Sequence, residues 1–399
     1  MQAHGFVNPH ITKNWITNGG PPPDGQAGLV QGTPVWDVTA RDEDLRVLDP
    51  GVPDDLDRTP DVAVVGGGAV GLAVAVMCRR AGVGRVVVLE RDRLAAGPSG
   101  RAAGILAPEI HEWTDPADFV ELARASLRLT RQLDGEWGGA LGVRDLDCLV
   151  NGPAIPGGSS VETLSEEAMR EYEPALAHGG EALLFPRQAR VHPLRFAAGL
   201  ARHAGTVATG VEVLDLKAAG EKVVSLETSI GDIHPGAVIV ATGVPPTGLV
   251  PIEHHLVKGH LAATDPVPFR LRAQVVTPVG GVLPLDEGRL LIGGTLDAGD
   301  DSPDVRPEAI DVLRRGLDRV IPTAAEIPFT HTWCCFRPAA PDLLPIFDRV
   351  TGTTNAWFTS GHYRTGLLMA AATGQVLAEW LTTGSPPAAV QPFGLARFG

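Results

Sequence analysis

Residues 61–78 constrain this chain more than any other stretch, because they join a predicted buried strand to a predicted helix through glycines. Gly66 permits a tight turn, Gly68 lets the backbone approach a pyrophosphate, and Gly71 lets the helix pack closely on the strand. The phosphates then meet the helix N-terminus, where backbone amides and the helix dipole attract anions. The run is therefore predicted to be a dinucleotide-binding turn, and the predicted contacts are Gly66, Gly68, Ala69, Val70 and Gly71.

Glycine spacing alone is a weak signal in a chain that contains 48 glycines. The context strengthens it, because an apolar strand precedes the run, an apolar helix follows, and a second strand over residues 85–89 ends at Glu90. A carboxylate about 20 residues after the glycines is placed to accept hydrogen bonds from an adenosine ribose. Glu90, with Arg91 beside it, is therefore the predicted ribose contact; the alternative is an ordinary glycine-rich strand and turn.

The composition limits the partners that are expected. The 399 residues are 44% hydrophobic and 20% charged, which suits two or three structural units. A net charge of −14 disfavours nucleic acid and leaves small molecules as the expected partners. The longest apolar stretch is too short to predict a membrane span, and the first residues do not read as a signal peptide. Four cysteines without metal or disulfide spacing predict no metal site and a reducing cytoplasm.

Helix and strand patterns alternate along the chain. Helices are expected over residues 115–137 (with Asp115 as the cap), from Ser165, and over residues 191–203, 307–320 and 366–381. Short strands are expected over residues 207–214, 223–228 and 237–241, and several more between residues 256 and 295. Successive short strands separated by turns favour an antiparallel sheet over further strand–helix–strand units.

The predicted fold is therefore α/β, with a Rossmann-like nucleotide-binding domain and an interleaved antiparallel-sheet substrate domain. The nucleotide-binding domain is expected to be discontinuous, over residues 61–110, 187–248 and 342–385. The substrate domain is expected over residues 111–186 and 249–341. Residues 1–60 are rich in Pro and Gly but contain Trp15 and Trp36, so we expect an N-terminal extension that packs on the body or on a neighbouring subunit. Residues 386–399 are a predicted C-terminal tail.

A second glycine-rich turn begins the last predicted helix, at Gly361-His-Tyr-Arg-Thr-Gly366. This segment resembles the closing segment of the glycine oxidase branch of the D-amino-acid oxidase (DAO) family of flavoproteins. The resemblance extends over about residues 60–385 through further motifs in order, at residues 98–106, 190–193, 238–243, 289–295 and 335–338. It implies bound FAD, with the last helix directed at the flavin pyrimidine, where backbone amides stabilise the negative charge of the reduced ring.

The resemblance implies cofactor contacts in four segments. A loop after the ribose carboxylate passes over the pyrophosphate and along the isoalloxazine, and a later segment gives backbone contacts to the adenine end. A strand then crosses beneath the cofactor, and the last turn faces the reactive ring. In order, the implied residues are Ser99, Arg101, Ala102, Ala103 and Gly104; Val191; Thr242 and Gly243; and Gly361, His362, Tyr363, Arg364, Thr365, Gly366 and Leu367.

The implied activity is that of an amino acid oxidase, in which the substrate α carbon gives a hydride to flavin N5 and O2 is reduced to H2O2. The resulting imine hydrolyses in water. The family's carboxylate clamp corresponds to Arg337, whose planar fork suits a carboxylate; the alternative is a structural ion pair. Arg364 corresponds to a second active-site arginine or, alternatively, a brace for the helix start. Tyr363 is expected to edge the pocket or to pack, and His362 to hold the backbone rather than act as a base.

One departure concerns the substrate. Where glycine oxidases carry a histidine and a tyrosine in a strand above the flavin, alignment on Pro284 and Arg289 places Val279 and Gly281. A larger, more apolar pocket is implied, unless the glycine-rich loop is misaligned. We therefore expect a substrate larger than glycine, such as an N-carboxymethyl amine with an apolar arm, as handled by relatives that release a β-amino acid in secondary metabolism.

Several alternatives stay open at this stage. Cys335 precedes Pro341-Asp342 at the spacing seen for the flavin-linked cysteine of monomeric sarcosine oxidases, although the Arg337-Pro338 pair favours noncovalent FAD. A dehydrogenase with an acceptor other than O2 and a catalytically silent flavin-binding protein are the competing functions. The sequence does not determine the oligomeric state, and a homo-oligomer is compatible with it.

Overall fold

The computed structural model describes residues 32–112, 114–151, 161–177, 180–246, 248–277 and 280–399. These residues have the predicted mixed α/β fold. Their α-helices are α1 (Val35–Thr39), α2 (Asp42–Leu48), α3 (Ala69–Arg80), α4 (Pro98–Arg101), α5 (Ala117–Glu136), α6 (Glu166–Tyr172), α7 (Pro193–Ala201), α8 (Pro307–Val320) and α9 (Gly366–Thr383).

The strands fall into two large sheets and one hairpin. They are β1 (Val62–Val65), β2 (Val86–Leu89), β3 (Ile105–Leu106), β4 (Arg144–Asn151), β5 (Glu162–Leu164), β6 (Ala182–Arg190), β7 (Thr206–Ala208), β8 (Val213–Ala219), β9 (Lys222–Thr228), β10 (Ala237–Gly243), β11 (His255–Thr264), β12 (Ala273–Thr277), β13 (Gly280–Pro284), β14 (Leu290–Gly293), β15 (Asp297–Ala298), β16 (Phe329–Ala339), β17 (Ile346–Arg349) and β18 (Ala356–Ser360).

The first sheet, called here the parallel sheet, has the order β17-β18-β10-β1-β2-β7. Its strands run parallel except for the pair β17–β18. Alternate residues of β1 enter two cores: Val62 and Val64 pack on the side of helices α3, α5, α7 and α9, whereas Ala63 and Val65 pack on the side of the β8–β9 hairpin. Both faces are therefore buried, which explains why β1 and β2 read as continuous apolar runs.

The second sheet has ten strands and is called here the large sheet. Its outer face packs beneath α8, through residues such as Ala262 and Ile292. Its inner face joins the core of the parallel sheet through Leu261 and Trp333. Successive residues of a strand point to opposite faces, so every second residue of β11 and β16 is directed towards the core shared with the parallel sheet.

Most of the predicted elements are confirmed. Helix α8 has the predicted bounds, α9 ends two residues beyond them, and Ser165 caps α6 by accepting a hydrogen bond from the Ala168 amide. The antiparallel prediction for residues 256–295 is confirmed for β11, β12, β13 and β14, each of which pairs antiparallel with another of these strands. Strand β12 also pairs in parallel with β4, so the large sheet is mixed rather than purely antiparallel as predicted.

Two local predictions are also wrong. Residues 207–214 form the end of β7 and the start of β8 rather than one strand, because Gly210 has a φ of +73° and breaks the extended backbone. Asp115 does not cap α5. Pro116 occupies the cap position, and the Asp115 carboxylate instead contacts His111 Nδ1 at 2.8 Å and accepts a hydrogen bond from the Thr114 hydroxyl.

The N-terminal extension is described from residue 32 onward, where it forms α1 and α2 and packs on the body of the protein. Trp15 lies outside the described residues. Trp36 is 3% exposed and belongs to the same core as α3 and α7. None of the helices in the described ranges is long and apolar enough to cross a bilayer.

Candidate flavin and substrate site

Both glycine-rich turns lie at the same edge of the parallel sheet. Strand β1 leads into α3, and β18 leads into α9, with β10 between the two strands. Because β1, β10 and β18 run in one direction, their carboxyl ends and the N-termini of both helices meet at this edge. Open α/β sheets bind ligands in the crevice at the carboxyl ends of their strands.

The first turn has the geometry that its glycines predicted. Gly66 has a φ of +110°, and a Cβ there would lie 2.6 Å from the Ala241 carbonyl oxygen. A Cβ on Gly71 would lie 2.0 Å from the Gly66 carbonyl oxygen. These contacts leave no room for side chains, so the start of α3 is held close to β1 and β10. Helix α3 begins at Ala69, with Gly68 at its cap position.

Glu90 follows β2 at this edge, next to the first turn. Its carboxylate accepts hydrogen bonds from the Gly67 amide at 2.7 Å and from the Asp92 amide at 2.9 Å. Burial raises its pKa, and these two hydrogen bonds oppose that effect. The carboxylate is therefore oriented by the backbone at the position predicted for a ribose contact. Arg91 forms an ion pair with Asp92 at 3.3 Å.

The predicted loop after Glu90, residues 97–104 and called here the cofactor loop, covers the start of α3. The Ser99 hydroxyl accepts a hydrogen bond from the Ala69 amide at 3.0 Å. The Arg101 carbonyl accepts one from the Trp333 indole at 2.9 Å, which attaches the loop to the inner face of the large sheet. Gly104 has a φ of +85° and lies against the Val191 carbonyl.

Arg101 supplies a test of whether an anionic cofactor fits here. Its Nη1 atom is buried and has no hydrogen-bond partner within the described ranges, and its Nε donates to the Ala96 carbonyl at 3.3 Å. Burial lowers the pKa of the guanidinium. A buried donor without a partner costs stability. A pyrophosphate or flavin acceptor beside the cofactor loop would satisfy it, so these residues fit FAD.

The second turn joins α9 to the large sheet. The Tyr363 amide donates to the Pro338 carbonyl at 2.8 Å, and His362 forms a bridge with Ala339. The Thr365 hydroxyl donates to the His362 carbonyl at 2.9 Å and so braces the turn. Position 363 has a φ of +48°. The last strand of the large sheet and the N-terminus of α9 are thereby held side by side.

His362 is buried beneath this turn. Its Nε2 contacts the Thr373 hydroxyl at 3.1 Å, and its ring meets Phe347 edge-on with a centroid separation of 5.9 Å. Burial lowers the pKa of His362 to about 4, so the imidazole is neutral at physiological pH. These contacts are with other side chains, so the role of His362 in holding the backbone stays a prediction.

Arg337 projects from the inner face of β16, two residues before the segment paired with the second turn. Its Nη1 donates to the Thr295 carbonyl at 3.1 Å and to the Lys258 carbonyl at 3.3 Å. Burial lowers its pKa. Within the described ranges, no carboxylate forms an ion pair with it. The alternative prediction of a structural ion pair therefore receives no support from these residues.

The guanidinium lies across glycines. A Cβ on Gly259 would lie 2.1 Å from Arg337 Nη2, and a Cβ on Gly294 would lie 3.0 Å from the same atom. Side chains at these positions would therefore displace the arginine. Tyr363 and Arg364 are close enough to influence its pKa, and the Arg364 guanidinium lies 5.2 Å from the Tyr363 ring centroid. The predicted substrate residues on β16 and on the second turn are thus brought together.

Gly281 lies on the same inner face. Across the paired strands β13, β14, β11 and β16, Gly281 stands opposite Gly293, Gly293 opposite Leu261, and Leu261 opposite Trp333. Residues opposite one another across paired strands point to the same face. Because Trp333 reaches the cofactor loop, Gly281 also faces the cofactor side. A Cβ at Gly281 would lie 3.2 Å from the Gly293 carbonyl oxygen. Val279, the other predicted position, lies outside the described residues.

The remaining predicted residues are placed less directly. Gly243 lies at the end of β10, where a Cβ would be 3.4 Å from Pro338, and the Thr242 hydroxyl donates to the Val244 carbonyl at 2.8 Å. Cys335 shares the inner face with Arg337, and burial raises the pKa of its thiol. Noncovalent flavin binding stays a prediction.

Sequence reasoning missed the backbone contacts of Glu90. The Val191 amide donates to the Gly104 carbonyl at 2.8 Å, on the cofactor loop. Glu90 is instead bonded through its own amide to the Ala208 carbonyl at 3.0 Å and through its carbonyl to the Val211 amide at 2.8 Å. The contact of Val191 with the adenine stays a prediction. The segment that borders Glu90 in the structure is the end of β7. The apolar and β-branched residues that precede Gly210 were the signal from which a strand beside Glu90 could have been predicted.

Comparisons with known proteins agree with this geometry. The DAO family model, described as FAD dependent oxidoreductase, matches residues 61–380. The chain is 28% identical to the bifunctional protein ThiO/ThiG of Trichormus variabilis over 376 residues, which is 85% of this chain and 55% of that protein. It is 28% identical to a glycine oxidase of Pseudomonas aeruginosa over 370 residues, which is 84% of this chain and 98% of that enzyme.

A solved structure of glycine oxidase from Geobacillus kaustophilus superposes with a TM-score of 0.75 at 26% identity, over 85% of this chain and 99% of that one. The chain spans about half the length of the bifunctional relatives that it matches.

Proposed function

Because the chain belongs to the DAO family of FAD-dependent oxidoreductases, we propose that it oxidises an amine that carries a carboxylate on the reacting carbon. The observation that supports this most directly is Arg337, a buried guanidinium with two carbonyl partners and no carboxylate partner within the described ranges. A buried cation of this kind is stabilised by an anionic ligand. Arginine binds a carboxylate through two parallel charge-assisted hydrogen bonds.

Bound FAD supplies the two-electron acceptor that takes a hydride from the substrate carbon. The protein residues bind and orient the substrate for that transfer. Arg337 holds the carboxylate beneath the inner face of the large sheet, and Tyr363 and Arg364 border the same space from the second turn. The N-terminus of α9 would hold the flavin ring, and its backbone amides would stabilise the negative charge that develops on reduction.

The proposed substrate is an N-carboxymethyl amine with an apolar arm. Gly281 supports this choice, because it carries no side chain on the inner face of the large sheet, where the resemblance to glycine oxidases implies a tyrosine. Oxidation removes two electrons and two protons from the N–CH2 bond and gives an imine. Water then splits the imine into a primary amine and glyoxylate, and O2 accepts the two electrons and two protons to form H2O2.

An aerobic and anaerobic comparison tests this proposal. The purified holoprotein is mixed with glycine, sarcosine and a series of N-carboxymethyl alkylamines, and flavin absorbance, glyoxylate and H2O2 are measured. We expect the flavin to bleach anaerobically with the N-carboxymethyl series and H2O2 to equal glyoxylate in air. Bleaching without H2O2 would assign a dehydrogenase with another acceptor. A flavin that no carboxylate-bearing amine bleaches would contradict amino acid oxidation and favour a silent flavin-binding protein.

A further inference from the structure

Residues 35–51 form a segment that lies outside the matched family region, which begins at residue 61. This segment, called here the N-terminal clamp, consists of α1, α2 and the three residues that follow. It touches the body at the cofactor loop, at the segment between Glu90 and α4, and at the end of β7. Each of these places borders the predicted site for the ADP half of FAD.

The first contact is made by Trp36 on the cofactor loop. Its indole Nε1 donates to the Ala102 carbonyl at 2.9 Å, and the side chain is 3% exposed. The ring also meets His192 edge-on, with 4.9 Å between centroids. Ala102 follows Arg101, whose buried Nη1 has no partner within the described ranges. Trp36 therefore fixes the backbone beside the donor that fits an anionic cofactor.

The second contact is made on the segment between Glu90 and α4. Asp37 pairs with Arg93 at 3.0 Å, and the Leu94 amide donates to the Leu48 carbonyl at 2.8 Å. Leu94 in turn packs against the first glycine turn, since a Cβ on Gly67 would lie 2.4 Å from Leu94 Cδ2. Leu94 thus connects the N-terminal clamp to the turn that would bind the pyrophosphate.

The third contact is made at the end of β7. The Gly51 amide donates to the Thr209 hydroxyl at 2.8 Å, and the Thr209 amide donates to the Gly51 carbonyl at 3.1 Å. The same hydroxyl donates to Asp49 at 2.9 Å. Thr209 is 1% exposed and lies between the two residues that bond the backbone of Glu90.

We propose that the N-terminal clamp is part of the FAD-binding site of this protein, acting as an outer wall that holds the loops around the ADP half in place. Trp36 and Thr209 are positioning residues, because each acts through backbone that borders the cofactor. A preorganised loop loses less conformational freedom when a ligand binds, so weakening the clamp weakens FAD binding. The proposal depends on FAD binding and not on the identity of the substrate.

The test substitutes Trp36→Phe, which removes the indole donor and keeps most of the buried aromatic surface. The matched control is Trp137→Phe, because the Trp137 ring stacks on His203 at 3.8 Å between centroids, away from the cofactor loop. Apoprotein is titrated with FAD and with FMN, and the dissociation constants are measured from flavin fluorescence. The loss of one buried hydrogen bond predicts an FAD dissociation constant raised by roughly 3- to 10-fold for Trp36→Phe. Trp137→Phe is expected to bind FAD like the wild type.

Two further readings make the outcome decisive. FMN lacks the adenylate half, so its affinity is expected to fall less than that of FAD in Trp36→Phe. The holoprotein melting temperature is expected to fall more than that of the apoprotein. An unchanged FAD dissociation constant, or equal losses for FAD and FMN, would overturn the proposal. If Trp36→Phe does not fold, Thr209→Val provides the same test at the end of β7. None of these measurements requires turnover, so their failure leaves the proposed reaction untouched.

Discussion

At the scale of single residues, two arginines are the main candidates for binding anionic groups in the site. Arg337 and Arg101 are both partly buried, and within the described ranges neither forms an ion pair with a carboxylate. Burial lowers the pKa of each guanidinium. A buried cation without an ion pair lowers the stability of the folded protein, and a bound anionic ligand would offset that cost. Arg337 lies on β16, where we propose that it binds the substrate, and Arg101 lies on the cofactor loop.

Gly281 is predicted to set the size of the substrate arm. In Gly281→Ala the new methyl group would stand 3.2 Å from the Gly293 carbonyl oxygen, on the cofactor side of the large sheet. We expect kcat/KM to fall about tenfold for an N-carboxymethyl amine with a long apolar arm, because a pocket misfit of one methyl group has this magnitude. Sarcosine, assayed with the same variant, is the internal control and should change less than twofold. Equal losses for both substrates would remove Gly281 from the pocket.

His192 is predicted to make stability depend on pH. Its Nδ1 accepts a hydrogen bond from the Arg195 amide at 3.4 Å and so caps α7, and burial lowers its pKa to about 4. The unfolded state therefore takes up a proton first as the pH falls, and stability present above about pH 6.5 is lost on the way to pH 4. Each such histidine contributes up to about 1.4 kcal/mol per pH unit in that window.

The measurement is the free energy of unfolding by urea between pH 7.5 and pH 4.5. The wild type should lose stability across this window more steeply than His192→Asn, whose side chain keeps an acceptor for the cap but does not titrate. Parallel curves for the two proteins would show that His192 is not buried in its neutral form.

At the scale of elements, the two helices that begin at the glycine-rich turns pack directly on one another. A Cβ on Gly374 of α9 would lie 2.4 Å from the Ala73 carbonyl oxygen of α3. This close approach sets the spacing of the two helix N-termini at the edge of the parallel sheet. The distance between the two helix N-termini therefore depends on a glycine in the interior of α9.

Gly374→Ala is predicted to separate the two helices and destabilise the protein by about 1–3 kcal/mol, the usual cost of overpacking. The matched control is Gly135→Ala in α5, where a Cβ meets nothing within 4 Å. That change should be neutral or stabilise by up to about 1 kcal/mol through helix propensity. Urea unfolding of both variants measures the difference. A Gly374→Ala protein as stable as Gly135→Ala would contradict the close packing of α3 on α9.

The sequence predicted the elements whose signals are local and missed those set by tertiary contacts. The first turn was predictable because the positive φ of Gly66 and the contact of Gly71 with the Gly66 carbonyl both lie within one strand–turn–helix unit. The surroundings of Arg337 were not, because its carbonyl partners at Lys258 and Thr295 reach it through cross-strand register. The parallel pairing of β12 with β4 was missed for the same reason, since β4 is more than 100 residues earlier in the chain.

The whole molecule places the two sheets on either side of the proposed FAD site. The parallel sheet provides both helix N-termini at its edge, and the large sheet presents Arg337 and a row of glycines from its inner face. The N-terminal clamp borders the ADP end from outside the matched family region. Composition and local motifs predicted the mixed α/β fold, whereas the proposed role of residues 35–51 rests on the contacts of Trp36, Leu48 and Thr209.

Anaerobic flavin bleaching tests the central claim, that Arg337 holds the carboxylate of an amine substrate. The rate is measured with an N-carboxymethyl alkylamine and with the corresponding N-methyl alkylamine, for the wild type, Arg337→Ala and Arg80→Ala. Arg80 pairs with Glu136 at the surface and is the control arginine. We expect the wild type and Arg80→Ala to prefer the carboxylate-bearing amine about 100-fold, and Arg337→Ala to lose that preference. A preference that persists in Arg337→Ala would contradict the account.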